Sequence, residues 1–328
     1  LKSAFAMKNP SKILAILFTA AVLLGFDASG QAFLTNGLVA YYPFNGNAND
    51  AAGTNNGTVN GAGLTVNRFQ VINSAYDFNG ISSFIQIPNS TNLFGSGSFT
   101  ISIWFNTSKY PDSNLTNQAA FLFSKGRNVY EIHLASPPII YTGIRFLPTQ
   151  ESGTSYYEDA LSANFKTNTW YQIIAIWNKT NHVAQLFFNG QLLSGSTLTG
   201  SDTADNTTPA RIGMRYNGPG GTNSAVVVGG NGLPFKGILD DIRIYNRALS
   251  TSEASQLYAI EAQLPTMNIA STTNGPAVFY TSTNGSVYTI QMATNLASPV
   301  WATVTNGVPV YGLQITNPPS NAFFRVVN

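Results

Sequence analysis

Apolar runs rich in Val, Ile, Phe, Tyr and Thr alternate along most of the chain with clusters of Gly, Asn, Ser and Pro. That is the pattern of short strands separated by turns. It predicts strands over Leu38–Phe44, Ala75–Phe78, Ser83–Ile87, Phe99–Phe105 and Ala120–Ser124. Further strands are predicted over Val129–Leu134, Ile139–Phe146, Trp170–Asn178, Val183–Phe188, Ala210–Met214 and Ile238–Tyr245. Between AQLFF and QLL, Asn189-Gly190 supplies two residues that tolerate positive φ, as a two-residue hairpin turn requires. One segment reads as a helix, Ser250–Ile260. Ser250 caps it, Glu253 completes a capping box, and Leu257 and Ile260 share a face. Many strands and one short helix indicate an all-β, two-sheet sandwich or jelly roll.

The pattern breaks at Pro265 and restarts as Ala277–Ser282, Val287–Ala293, Val300–Thr305, Val310–Thr316 and Ala322–Val327. Asn284-Gly285 and Asn306-Gly307 are turns between them. About sixty residues at this spacing fit a small second β-sandwich of the immunoglobulin or fibronectin class.

The N-terminus follows a different rule. Lys2, Lys8 and Lys12 precede an apolar run, Ile13–Phe26, which leads to Gly30 and Ala32 at the −3 and −1 positions of a cleavage site. A basic, apolar, small-residue order is that of a secretory signal peptide, and the run is shorter than the ~20 residues that span a bilayer. The expected organisation is therefore a signal peptide over 1–32, a jelly roll over 33–262 and a small β-sandwich over 263–328.

Composition changes the picture in two ways. Of 328 residues 44% are hydrophobic and only 9% charged, against ~25% charged in an average soluble protein. The polar surface is then built from Asn, Thr, Ser, Gly and Tyr, as in exported β proteins. The absence of cysteine excludes disulfides, thiolate chemistry and cysteine-ligated zinc. Loss of the signal removes three lysines and one aspartate and takes the formal charge from +2 to 0. A neutral protein has no counterion-release drive toward nucleic acid, and none toward a membrane surface once the signal is cleaved.

Chemistry-bearing motifs are few. Glycoside hydrolysis needs two carboxylates flanking the bond, ~5–5.5 Å or ~6.5–9.5 Å apart, and on one strand face these recur at period two. No such spacing occurs. Glu158-Asp159 and Asp240-Asp241 are adjacent, and neighbours on a regular strand point to opposite faces. Glu131 and His133 share a face, and their ordinary reading is an exposed surface pair. His133 and His182 are the only histidines, which leaves no catalytic zinc set, and neither a nucleophile elbow nor a phosphate loop is present. No catalytic residue is assigned. Sugar recognition needs exposed aromatic faces beside amides and carboxylates. Trp104, Trp170 and Trp177 fall in strand blocks and read as core. Tyr156, Tyr157, Glu158 and Asp159, then Arg215 and Tyr216, form the two loop clusters most like a sugar site.

The opening GLVAYYPFNGNANDAAGTNNGTVNGA (Gly37–Ala62) resembles that of the laminin-G-like, concanavalin A-type jelly-roll domains of secreted bacterial proteins. AYDFNGISSFIQIPNS, FTISIWFNT, FLFSKG, TWYQIIAIWN…AQLFFNGQLL and FKGILDDIRIYNRALSTSEASQLY follow in the family's order, through Tyr258. Asn189 stands where the family commonly has Asp, and Tyr171 where it commonly has His. The C-terminal VYTIQMATNLASPVWATVTNG…FFRVVN is similar to a small β-domain that ends many exported bacterial proteins. The resemblance implies a secreted, non-catalytic module binding a polysaccharide or cell-surface glycan. An adhesive exoprotein contacting other proteins, or a hydrolase with an atypical site, are the alternatives. It also implies a structural Ca²⁺ between the first and last strands, with Asp50 and Asp240 as ligands and Asp241 as the substitute. Against this stands a reading of Asp50 as a turn residue and Asp240 as a buried acceptor.

Overall fold

The computed structural model describes residues 32–93, 97–110, 118–125, 130–136, 143–147, 150–151, 154–155, 158–160, 166–197, 208–215, 233–263, 266–272, 275–281, 288–293, 302–308 and 323–327. The chain divides into two compact units, residues 1–35 and 36–328. Of the expected signal peptide only Ala32 is described, and the strand expected over Val310–Thr316 also lies outside the described residues.

In chain order the strands are β1 (Leu38–Tyr42), β2 (Thr58–Asn60), β3 (Gly63–Thr65), β4 (Ala75–Asn79), β5 (Phe84–Ile87), β6 (Phe99–Thr107) and β7 (Gln118–Lys125). Then follow β8 (Tyr130–Ser136), β9 (Gly143–Leu147), β10 (Gln150–Glu151), β11 (Thr154–Ser155), β12 (Glu158–Ala160), β13 (Tyr171–Asn178) and β14 (Val183–Phe188). The jelly roll closes with β15 (Gln191–Thr197), β16 (Ala210–Ile212), β17 (Leu233–Pro234), β18 (Lys236–Tyr245) and helix α1 (Thr251–Glu261). After it come β19 (Thr266–Thr272), β20 (Gly275–Thr281), β21 (Tyr288–Ala293), β22 (Ala302–Val308) and β23 (Phe323–Val327).

Sheet I runs β15-β14-β13-β6-β18-β4-β3, with β1 also on β18. Sheet II runs β12-β9-β8-β7-β16-β5-β2, with β17 parallel to β7. The first and last long strands are therefore neighbours, β1 antiparallel to β18. Period-two alternation explains the core. Ile101, Ile103 and Phe105 of β6 and Ile173, Ala175 and Trp177 of β13 meet Ile85, Ile87, Leu122, Ile132, Leu134 and Ile212 of sheet II in one buried cluster. The alternate residues Thr100, Ser102, Trp104, Gln172, Ile174 and Ile176 are buried on the other face of sheet I. Such a face needs a cover, because exposed apolar surface costs ~25 cal/mol per Å².

Helix α1 lies over that face. Ser250 and Glu253 form the expected capping box. Ala254, Leu257 and Glu261 are its buried residues, and Tyr258 stacks on Trp104 at 5.8 Å. The β14–β15 turn has Asn189 at φ 48° and Gly190 at φ 75°, as expected. A Cβ on Gly190 would lie 2.8 Å from Tyr258, so glycine serves both the turn and the helix contact. Trp170 precedes β13 and is half-buried, unlike the strand position expected for it. Beyond α1, β19 pairs with β20, and β21 is flanked by β22 and β23.

Candidate functional site

The outer face of sheet II carries polar side chains in register. Directly opposed residues of antiparallel strands share a face, and Thr58, Gln86, Arg211, Ser124 and Glu131 are opposed in turn across β2, β5, β16, β7 and β8. His133 is opposite Phe121, their rings 4.8 Å apart. In the backbone register, Arg145 of β9 is opposite His133 and Asp159 of β12 is opposite Arg145.

Arg215, just past β16, reaches Glu131. Its Nε lies 2.6 Å from Oε1 and its Nη2 3.3 Å from Oε2, a fork with both carboxylate oxygens. The same guanidinium lies 5.3 Å from the Phe121 ring, and Arg211 lies 4.1 Å over Phe84. Glu131 and His133 share a face as the spacing predicts, but they are only 2% and 6% exposed. The expected surface pair is thus a buried one. Arg215 satisfies the carboxylate, and Phe121 packs on the imidazole.

Of the two loop clusters singled out in the sequence, Glu158, Asp159 and Arg215 are described, the first two in a strand and not in the expected loop. Glu158 and Asp159 lie in β12, at the sheet edge, and Arg215 joins β8, two strands inward. Tyr156, Tyr157 and Tyr216 lie outside the described residues.

A second charged cluster is buried between sheet I and α1. β18 changes partner on one flank from β4 to β1, and its register shifts between Asp240 and Arg243. Asp241 sits at this bulge with φ 43°, a left-handed conformation that Asp tolerates. The bulge turns both neighbouring carboxylates to one side, against the alternation expected from the sequence. Arg68 Nη1 lies 2.6 Å from Asp240 and 2.7 Å from Asp241. Tyr41 donates to Asp241 at 2.5 Å. Glu261 accepts from Arg243 Nε at 2.5 Å, Trp104 Nε1 at 2.8 Å and Gln172 Nε2 at 2.7 Å. Burial first, then the Asp241 charge, pushes the Asp240 carboxyl well above the usual carboxylate range, while Arg68 pulls it down. Burial likewise raises Glu261 against the opposing pull of Arg243. Arg68 and Glu261 escaped the sequence reading. The spacing Ala254, Leu257, Glu261 was the signal for the latter, since it puts a carboxylate on the buried helix face.

Asp50 forms a turn. Its Oδ1 accepts the amides of Tyr41, Ala52 and Gly53 at 2.9, 3.0 and 3.0 Å, and its Oδ2 those of Asn55, backbone and side chain, at 3.1 and 3.3 Å. Calcium requires converging oxygens. N–H donors surround Asp50 and a guanidinium bridges Asp240 and Asp241, so the residues as arranged do not fit the ion. Among the described residues no group of three or more His, Asp or Glu is placed to hold a metal.

The family model that describes the concanavalin A-like lectin/glucanases superfamily matches residues 79–255. No curated protein matches the chain. Among solved structures, the binding domain of Paraclostridial mosquitocidal protein is similar at 15% identity and a TM-score of 0.53, over 89% of this chain and 76% of that one. The ligand-binding domain of botulinum neurotoxin serotype D, in complex with N-acetylneuraminic acid, is similar at 13% identity and a TM-score of 0.51, over 82% and 69%. Domain 4 of an extracellular arabinanase from Geobacillus stearothermophilus, in complex with arabinotriose, gives 20% identity and a TM-score of 0.47, over 67% and 97%. At these identities the likeness is one of fold. Two apposed sheets, first and last strands paired, and a family match spanning β5 to β18 and into α1 lead to one assignment: the chain belongs to the concanavalin A-like lectin/glucanases superfamily.

Proposed function

We propose that this is a secreted, non-catalytic recognition module that binds a polysaccharide or cell-surface glycan on the outer face of sheet II. The observation that carries the reading is the Arg215–Glu131 pair, held beside Phe121 and His133 on a sheet whose edge strand contains Glu158 and Asp159. A face that needed only covering would be covered at least cost by aliphatic side chains. A buried carboxylate costs several kcal/mol unless paired and hydrogen-bonded, and such departures concentrate at functional sites. Glu131, Phe121 and His133 are only 2%, 3% and 6% exposed, so on this reading they hold the Arg215 guanidinium from beneath, and the guanidinium orients the sugar's hydroxyls. A fold neighbour in complex with N-acetylneuraminic acid favours a glycan over a protein surface. Glu131 is forked by Arg215, which suits an acceptor rather than a proton donor, and supports binding without cleavage. The expected export signal and the low charge support an extracellular setting, and among the described residues no helix is long and apolar enough to cross a membrane.

A glycan array tests this. Arg215→Met with Glu131→Gln removes both charges together, which avoids leaving one buried and unpaired. The expected result is binding by the parent chain and its loss in this double variant and in Tyr156→Ala/Tyr157→Ala, with melting temperatures retained. Binding unchanged in both variants would remove the site from sheet II. No binding to any glycan would shift the reading to a protein-contacting exoprotein.

A further inference from the structure

A cavity of about 290 Å³ opens at one end of the jelly roll, and neither Arg215 nor Glu131 is among its described lining residues. Three strand ends frame it: the start of β6 at Phe99, the start of β8 at Tyr130 and the residue after β18, Asn246. It therefore sits at the seam of the two sheets, on backbone fixed by both ladders. Its floor is apolar. Leu93, Phe99 and Tyr130 are all buried, and the two rings lie 4.3 Å apart at 57°.

The described wall residues are polar without formal charge: Thr91, Asn92, Ser98 and Asn246. Thr91, Asn92 and Asn246 are exposed, and their side chains make no hydrogen bond to another described residue. Ser98 Oγ accepts the Lys179 amide at 3.0 Å, which turns its own proton toward a further acceptor. The nearby cation Arg247 is engaged by Glu253 at 2.9 Å. Two amides and two hydroxyls supply donors and acceptors in pairs, as a ligand bearing several hydroxyl groups requires. The volume is near the lower bound of ligand pockets, ~300–1,000 Å³, which limits the occupant to a sugar residue or two.

We infer that this cavity is a second binding site, for an uncharged sugar residue. Among the described residues no cation lines it, so the chemistry present suits a neutral ligand and differs from that of the Arg215 face. The inference stands whether or not the sheet II reading does.

The test is saturation-transfer NMR and calorimetry on the full chain with methyl glycosides of glucose, galactose, mannose and arabinose, and with N-acetylneuraminic acid as the charged control. Asn92→Leu and Asn246→Leu alter exposed positions and fill the cavity without touching the core. The expected result is that at least one neutral glycoside binds, that each variant weakens it by about tenfold or more, the worth of one good hydrogen bond, and that Arg215→Met/Glu131→Gln leaves it unchanged. No neutral glycoside binding, or binding indifferent to both leucine variants, overturns the inference. Loss only in the sheet II variant would assign the sugar to that face.

Discussion

Glu261 shows how much one side chain can hold. It closes α1 onto sheet I by accepting from Arg243, Trp104 and Gln172 while fully buried. Glu261→Ala would remove the carboxylate to which Arg243, Trp104 and Gln172 donate, and removal of one partner of a buried pair costs ~3–5 kcal/mol. Urea denaturation is expected to show a loss of that size, with a smaller one for Glu261→Gln, which keeps an acceptor for Trp104. Equal losses would mean that shape rather than charge matters there. Asp241 illustrates what the sequence hides. Strict alternation sends adjacent aspartates to opposite faces, yet a single left-handed residue turns both toward Arg68. The spacing of the core residues Leu239, Ile242 and Ile244 departs from period two at that point and was the available hint. Arg68 gave none, because a lone basic residue in a polar stretch looks the same whether solvated or buried.

At the scale of elements, strand positions were legible wherever apolar residues alternate beside turn formers, as in β6, β13, β14 and β18, and the α1 cap was legible in Ser250 and Glu253. β2 and β3 were not, since exposed three-residue strands carry no burial pattern. The interface of α1 with sheet I has a pH signature of its own. Among the described residues Asp240, Asp241 and Glu261 face Arg68 and Arg243, three carboxyls to two guanidiniums. Asp240 and Glu261 hold their protons more tightly folded than unfolded. The native state then binds more protons across the interval above the ordinary carboxylate range (~3.9–4.3), so stability falls as pH rises through it. Denaturation midpoints taken from pH 4 upward are expected to fall in the parent and to fall less in Asp240→Asn. Identical slopes would show that Asp240 is ionised throughout. Glu253, lowered chiefly by Arg247 and its cap bonds against a desolvation penalty, contributes with the opposite sign in both proteins.

For the whole molecule, the sequence blocks pointed to the jelly roll because their order along the chain is the order in which strands are laid into two sheets, and the family match over 79–255 agrees. The site was less legible. Arg215 and Glu131 are far apart in sequence, and only the β8-β7-β16 register brings them together. The central claim is recognition without cleavage, and one experiment addresses both halves. The parent chain is titrated with its best glycan from the array while reducing ends are counted over a long incubation. The account predicts saturable binding with no new reducing ends. Steady release of reducing ends by the parent chain, abolished by Glu131→Gln, would contradict it.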